Sequence, residues 1–128
     1  MASQHAVARA WLDQQLNAPP RVAMPWISLL AFIRVSTNPR AQAIPETTEG
    51  ACRQVEQWLA RENVWIPEPG PRHASILLEL LRATGVRGNL TSDAHIAALA
   101  IEHGLTICSA DADFARFPNV RWMNPLAA

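Results

Sequence analysis

Gly88-Asn89-Leu90-Thr91-Ser92-Asp93-Ala94-His95-Ile96-Ala97-Ala98-Leu99-Ala100-Ile101-Glu102-His103-Gly104-Leu105-Thr106-Ile107-Cys108 reads as a helix that stops at a glycine and hands over to a strand. Ala94, Ile96, Ala97, Ala98, Leu99, Ala100 and Ile101 make the helix apolar almost all round, so it belongs inside the protein. Thr91 or Ser92 is placed to cap it, and Gly104 to end it. Leu105 to Cys108 is apolar without alternation, the pattern of a strand covered on both faces.

The same alternation runs outward in both directions. A helix is expected over 3–16, with Val7, Ala10, Trp11 and Gln14 on one face and Ser3 as its cap. Pro19-Pro20 forces a loop, and Val22 to Met24 can form a short buried strand. Pro25 suits the start of a helix from Trp26 to Val35, which Asn38-Pro39 ends. A further helix fits 46–61, with Ala51, Val55, Trp58 and Leu59 on one stripe. Val64-Trp65-Ile66 reads as a strand. Pro71 opens a helix that turns Ile76, Leu77, Leu80 and Leu81 to the core. Beyond Cys108, a helical turn over 110–117 and a strand over 120–123 complete the chain. Helices alternating with short unpatterned strands imply an α/β fold, a parallel sheet with helices on both faces.

Composition bounds the function. At 128 residues, 49% hydrophobic and 17% charged, the chain fits one domain with a real core. No stretch reaches the roughly 20 apolar residues of a membrane helix, and the first ten residues lack a signal-peptide run. Cys52 and Cys108 are far apart and form no CxxC, so they read as a cytosolic pair of buried thiols. All eleven basic residues are arginine, each able to grip a phosphate with two nitrogens. Zero formal net charge argues against indiscriminate coating of nucleic acid. The four histidines lack metal-ligand spacing, and His73 and His103 read as ordinary face residues. HExxH, GxSxG, P-loop and GxGxxG patterns are absent, which removes the corresponding hydrolase and nucleotide classes. The five tryptophans read as core.

Three acids carry the chemical signal. Asp93 sits at the tip of the buried helix, three and four residues before Ile96 and Ala97, and so points along an interior face. Alone it would only complement the helix dipole. The strand 105–108, however, runs straight into Ser109-Ala110-Asp111-Ala112-Asp113-Phe114, and ligands of parallel sheets gather beyond the carboxyl ends of strands. Two carboxylates about 4 Å apart repel by roughly 4 kcal/mol at an effective dielectric near 20. Such a cluster binds a cation or protonates, and oxygen-only ligands favour Mg²⁺ or Mn²⁺ over zinc. An Asx turn with a cap for the helix at Phe114 accounts for one of Asp111 and Asp113 without any ligand.

These residues resemble a known family. The stretches His5-Ala6-Val7-Ala8-Arg9-Ala10-Trp11-Leu12, Trp26 through Phe32-Ile33-Arg34-Val35-Ser36-Thr37-Asn38-Pro39-Arg40, Glu68-Pro69-Gly70-Pro71-Arg72-His73, Gly88 to His95 and Ser109 to Phe117 resemble PIN-domain ribonucleases, specifically the VapC toxins of bacterial toxin–antitoxin pairs. The resemblance implies a PIN-like parallel-sheet fold and a carboxylate cluster holding Mg²⁺ or Mn²⁺. It implies endonucleolytic cleavage of RNA, often structured RNA such as tRNA, in the cytoplasm, with a VapB-type antitoxin and a homodimer as partners. Asp93 matches the metal-binding aspartate of the buried helix, Asp111 the aspartate after the late strand, and Asp113 its neighbour in the same motif. Arg34, Thr37 and Asn38 match a stretch near the site where arginine can hold phosphate; read from the residues alone they are a helix end and turn.

Two departures from the family follow. Ala31 stands where many members carry a glutamate. The family's first strand, central in its sheet and bearing a primary metal ligand, has no counterpart here. The expectation is therefore a single domain over 1–128 lacking its N-terminal strand, the product of a start placed too late. The competing reading is a catalytically impaired remnant that only binds an antitoxin.

Overall fold

The computed structural model describes residues 21–109 and 111–125, which fall into two compact units, 21–66 and 67–125. The helix expected over 3–16 lies outside them. No helix among the described residues is long and apolar enough to cross a membrane.

In the first unit, β1 (Val22–Ala23) pairs in parallel with β2 (Val64–Trp65), Val22 opposite Val64 and Ala23 opposite Trp65. Between them run α1 (Trp26–Ser36) and α2 (Thr48–Leu59). Pro25 is extended at φ −64° and stands at the entry of α1, where its missing N–H is no loss. The apolar stripe of α2 is buried as its spacing implies: Ala51, Val55 and Trp58 are inside, and Phe32 of α1 meets Trp58 edge-on at 4.7 Å. Tryptophan is not uniformly core, since Trp26 is 49% exposed.

The start of α2 is set by Thr47, whose hydroxyl accepts the Gly50 N–H at 2.9 Å. Thr47→Ala is expected to cost about 1 kcal/mol, the usual worth of such a cap. Urea denaturation measures it, and an unchanged midpoint would mean that water replaces the hydroxyl.

In the second unit, α3 (His73–Thr84) packs on α4 (Leu90–His103), followed by β3 (Thr106–Cys108), a 3-10 turn (Ala112–Arg116) and β4 (Arg121–Met123). β3 and β4 are parallel, with Ile107 opposite Trp122. Ala97, Ala98, Leu99 and Ala100 are all buried. Four successive helical positions span the whole circumference, so α4 is enclosed all round, as its composition requires. Ala94, Ala97 and Ala98 have no exposed surface, and their small side chains let Leu80, Ile107, Phe114 and Phe117 close on the helix. Gly104, at φ 68°, ends α4 in the left-handed conformation that favours glycine.

The fold is thus mixed α/β with parallel strands, as the alternation implies, though the strands form two separate pairs rather than one ladder among the described residues. Two smaller expectations are corrected. Helix α4 begins at Leu90, ahead of Thr91 and Ser92, so neither caps it; Asn89 is already helical (φ −62°, ψ −23°), and Thr91 Oγ1 donates back to Gly88 O at 2.7 Å. The cysteines are free, but Cys52 is half-buried and Cys108 exposed rather than both buried.

Candidate functional site

Asp93 is delivered by the first turn of α4, and Asp111 and Asp113 by the segment that leaves β3. One carboxylate oxygen from each lies within 4.8 Å of the others. Asp93 and Asp113 are half-buried and Asp111 is exposed. Burial raises the Asp93 carboxyl above its ordinary value, and the charges of Asp111 and Asp113 push it further the same way. The structure therefore brings together the three acids that the sequence singled out.

The acidic segment is held by its own short polar contacts. Ser109 N–H donates to Met123 O at 3.1 Å, and Trp122 Nε1–H to Ser109 O at 2.9 Å, tying the exit of β3 to β4. Asp111 N–H then donates to Ser109 Oγ at 3.0 Å, and Asp113 N–H to Asp111 Oδ1 at 2.9 Å. The turn-forming acid is thus Asp111, whose Oδ1 caps the 3-10 turn. Asp113 instead accepts the Arg116 Nε–H at 3.2 Å. Phe114, buried between the two ends of this turn, anchors it in the core beside Phe117.

Arg34, Thr37 and Asn38 belong to the first unit, at the end of α1. Arg34 is exposed, and no hydrogen bond joins its side chain to another described residue. Thr37 Oγ1 donates to Ile33 O at 2.7 Å, and Asn38 Oδ1 accepts the Arg40 N–H at 2.9 Å. Those two bonds are the bonds of a helix end and turn.

Two constellations escaped sequence reading. His73 is not a face residue: it is 8% exposed, and its Nε2 lies 3.1 Å from Nδ1 of His95. Its own Nδ1 is buried with no partner among the described residues. A stranded acceptor is tolerated more readily than a stranded donor, which places the proton on His73 Nε2 and the acceptor on His95 Nδ1. Burial, and then the neighbouring His73, hold the His95 imidazole below its ordinary pKa. The second is Glu102, at the other end of α4. Its Oε1 accepts the Gly70 N–H at 2.8 Å and its Oε2 the Arg72 N–H at 2.9 Å, while Arg72 donates to Glu102 O at 3.1 Å. The Gly70 N–H is the main reason its carboxyl lies below the ordinary value. A Cβ at Gly70 would come within 2.5 Å of that carboxylate, so a side chain there would displace Glu102 from its place. Neither constellation follows from local spacing, since the partners are 22 and 32 residues apart.

Comparison with known proteins agrees with this fold. The PIN domain family model matches residues 2–120. The chain is 42% identical over 126 residues to Ribonuclease VapC37 of Mycobacterium tuberculosis, covering 98% of this chain and 88% of that one. It is 39% identical over 123 residues to Ribonuclease VapC33 of the same species, covering 96% and 86%. Among solved structures, a VapBC2 complex from Rickettsia felis, bound to a DNA fragment of its promoter, shares the fold with a TM-score of 0.64. That match is 20% identical and covers 95% of both chains. The chain belongs to the PIN-domain family and, within it, to the VapC-type ribonucleases.

Proposed function

We propose that this chain is the toxin of a VapBC-type pair, a cytoplasmic endoribonuclease that hydrolyses RNA, including structured RNA such as tRNA, with Mg²⁺ or Mn²⁺. The observation that carries the reading is the convergence of Asp93, Asp111 and Asp113 within 4.8 Å. Burial first, and then repulsion by Asp111 and Asp113, raise the Asp93 carboxyl, and a cation at the cluster would offset both. Hard oxygen donors with surplus negative charge suit Mg²⁺ or Mn²⁺, so the residues fit the ion.

Asp93 and Asp111 would hold the ion, with Asp113 completing the acidic wall. A bound divalent ion supplies Lewis-acid polarisation of a phosphoryl oxygen and makes a water molecule more acidic. The chain's own part is to fix the carboxylates. Helix α4 holds Asp93 against the core, and the Ser109–Asp111–Asp113 bonds hold the opposite side. Arg34, Thr37 and Asn38 are the proposed contacts for RNA, Arg34 through its exposed guanidinium. A VapB-type antitoxin and a second copy of the chain are the proposed protein partners; the relatives' names and the VapBC2 complex support the first.

The test is cleavage of an RNA pool by the purified chain with and without Mn²⁺. Cleavage should require the ion and stop on adding EDTA. Cleavage that survives chelation would sink the metal-dependent reading. A chain that binds an antitoxin but cuts nothing at saturating Mn²⁺ would leave only the binding remnant.

A further inference from the structure

We propose that Arg116 is a phosphate-binding residue of this site, held in place by Asp113, and that it grips the RNA backbone beside the acidic cluster. This inference rests on the reading of the cluster as an RNA-cleaving site. Arg116 ends the 3-10 turn that carries Asp113, and the two are joined through Nε and Oδ1 at 3.2 Å. Anchoring a guanidinium by Nε fixes its plane and leaves both terminal nitrogens free. Among the described residues no other group bonds them, and the side chain is 58% exposed. That leaves the paired donors of arginine, the fork that matches a phosphate, turned to solvent at the rim of the cluster.

Charge balance points the same way. Three ionised carboxylates and one divalent ion leave one surplus negative charge, which would repel a phosphodiester. The Arg116 guanidinium cancels it. None of the other described arginines of this unit, Arg72, Arg82, Arg87 and Arg121, forms an ion pair with the three acids. Arg72 is bonded to Glu102 and Arg121 to Gly104 O at 2.7 Å, both at the far end of α4 from Asp93. Arg116 is the cation that forms an ion pair with one of the three acids among the described residues. An exposed pair at this spacing adds little to stability, so its position at the site is the more informative property.

The experiment measures binding of a fluorescent single-stranded RNA with Ca²⁺ in place of the cleaving ion, by anisotropy across a salt series, and Mn²⁺ affinity by calorimetry without RNA. Arg53→Ala is the control, because it also removes one cation from a surface ion pair, with Glu49. Arg116→Ala should weaken RNA binding about tenfold and lower the slope of log affinity against log salt by about 0.7, the value for one phosphate contact on a single strand. Arg116→Lys, which keeps the charge but not the fork, should restore the slope and only part of the affinity. Mn²⁺ binding should be no weaker in either variant. RNA affinity and slope equal to wild type in Arg116→Ala would overturn the proposal, since the arginine would then only neutralise Asp113. Loss of Mn²⁺ affinity in Arg116→Lys would also overturn it, because the arginine would then act through the carboxylates. If the wild-type chain cleaves RNA while Arg116→Ala behaves like it, the function stands and this inference alone falls. If wild type neither binds nor cleaves RNA, the functional reading fails and takes this one with it.

Discussion

Asp93→Asn is expected to lower metal-dependent RNA cleavage by at least about a hundredfold while leaving the metal-free fold as stable as wild type, or more so. The loss follows from removing the charged oxygen that the buried helix presents to the cluster. The stability follows from the sign of the titration. The folded carboxyl lies above its ordinary 3.8, so the native state holds that proton more tightly than the unfolded chain does. The stabilising share of Asp93 is therefore fully present below about 3.8 and is lost as pH rises through the folded value. At neutral pH the ionised group works against the fold, and Asn removes that opposition. Wild type without metal should lose stability over this acidic range as pH increases, and the variant should lose less. Mn²⁺ should raise the denaturation midpoint of wild type by mass action and leave that of the variant nearly unchanged. Undiminished cleavage by Asp93→Asn would remove the carboxylate cluster from the mechanism.

The second large effect lies behind the site. Phe114→Ala removes a ring that is 4% exposed and packs near Phe117, with centroids 6.4 Å apart. Such truncations cost about 3–5 kcal/mol, against a total stability on the order of 5–15 kcal/mol for a domain. The variant should unfold at clearly lower urea. Because Phe114 is the apolar anchor of the turn bearing Asp111 and Asp113, Mn²⁺ affinity should fall as well. Phe114→Leu, with a cost on the order of 1–2 kcal/mol, keeps the protein folded and isolates the second effect. Full Mn²⁺ affinity in a folded but destabilised Phe114→Leu would show that the 3-10 turn holds its geometry through Ser109 and Asp111 alone.

The contrast between what was legible in the sequence and what was not follows the range of each interaction. Apolar spacing exposed α2 and α4, because burial of Ala51, Val55 and Trp58, or of Ala97 to Ala100, leaves a periodic trace. The acidic site was legible because Asp111 and Asp113 follow a strand and Asp93 tips the next-earlier helix. The choice between Asp111 and Asp113 as the turn former was not, since both offer the same side chain two residues apart. The cap at Thr91 or Ser92 was misplaced because Asn89 is itself helical, so those hydroxyls already lie inside the first turn. The His73–His95 contact joins α3 to α4, and the Glu102–Gly70 contact joins α4 to the loop before α3, both across long stretches of chain where no local pattern can announce them.

Glu102 has a consequence for the topology of the helical pair. The chain joins the end of α3 to the start of α4 through 85–89, and the Glu102 carboxylate joins the end of α4 to the loop before α3. The two helices are therefore links of a closed ring, one half covalent and the other non-covalent. A protease that severed the exposed 85–89 link would leave two fragments still clasped by His73, Glu102 and the alanine seam. Splitting the chain there, unlike within α4 beyond Asp93, divides the protein without dividing Asp93 from Asp111.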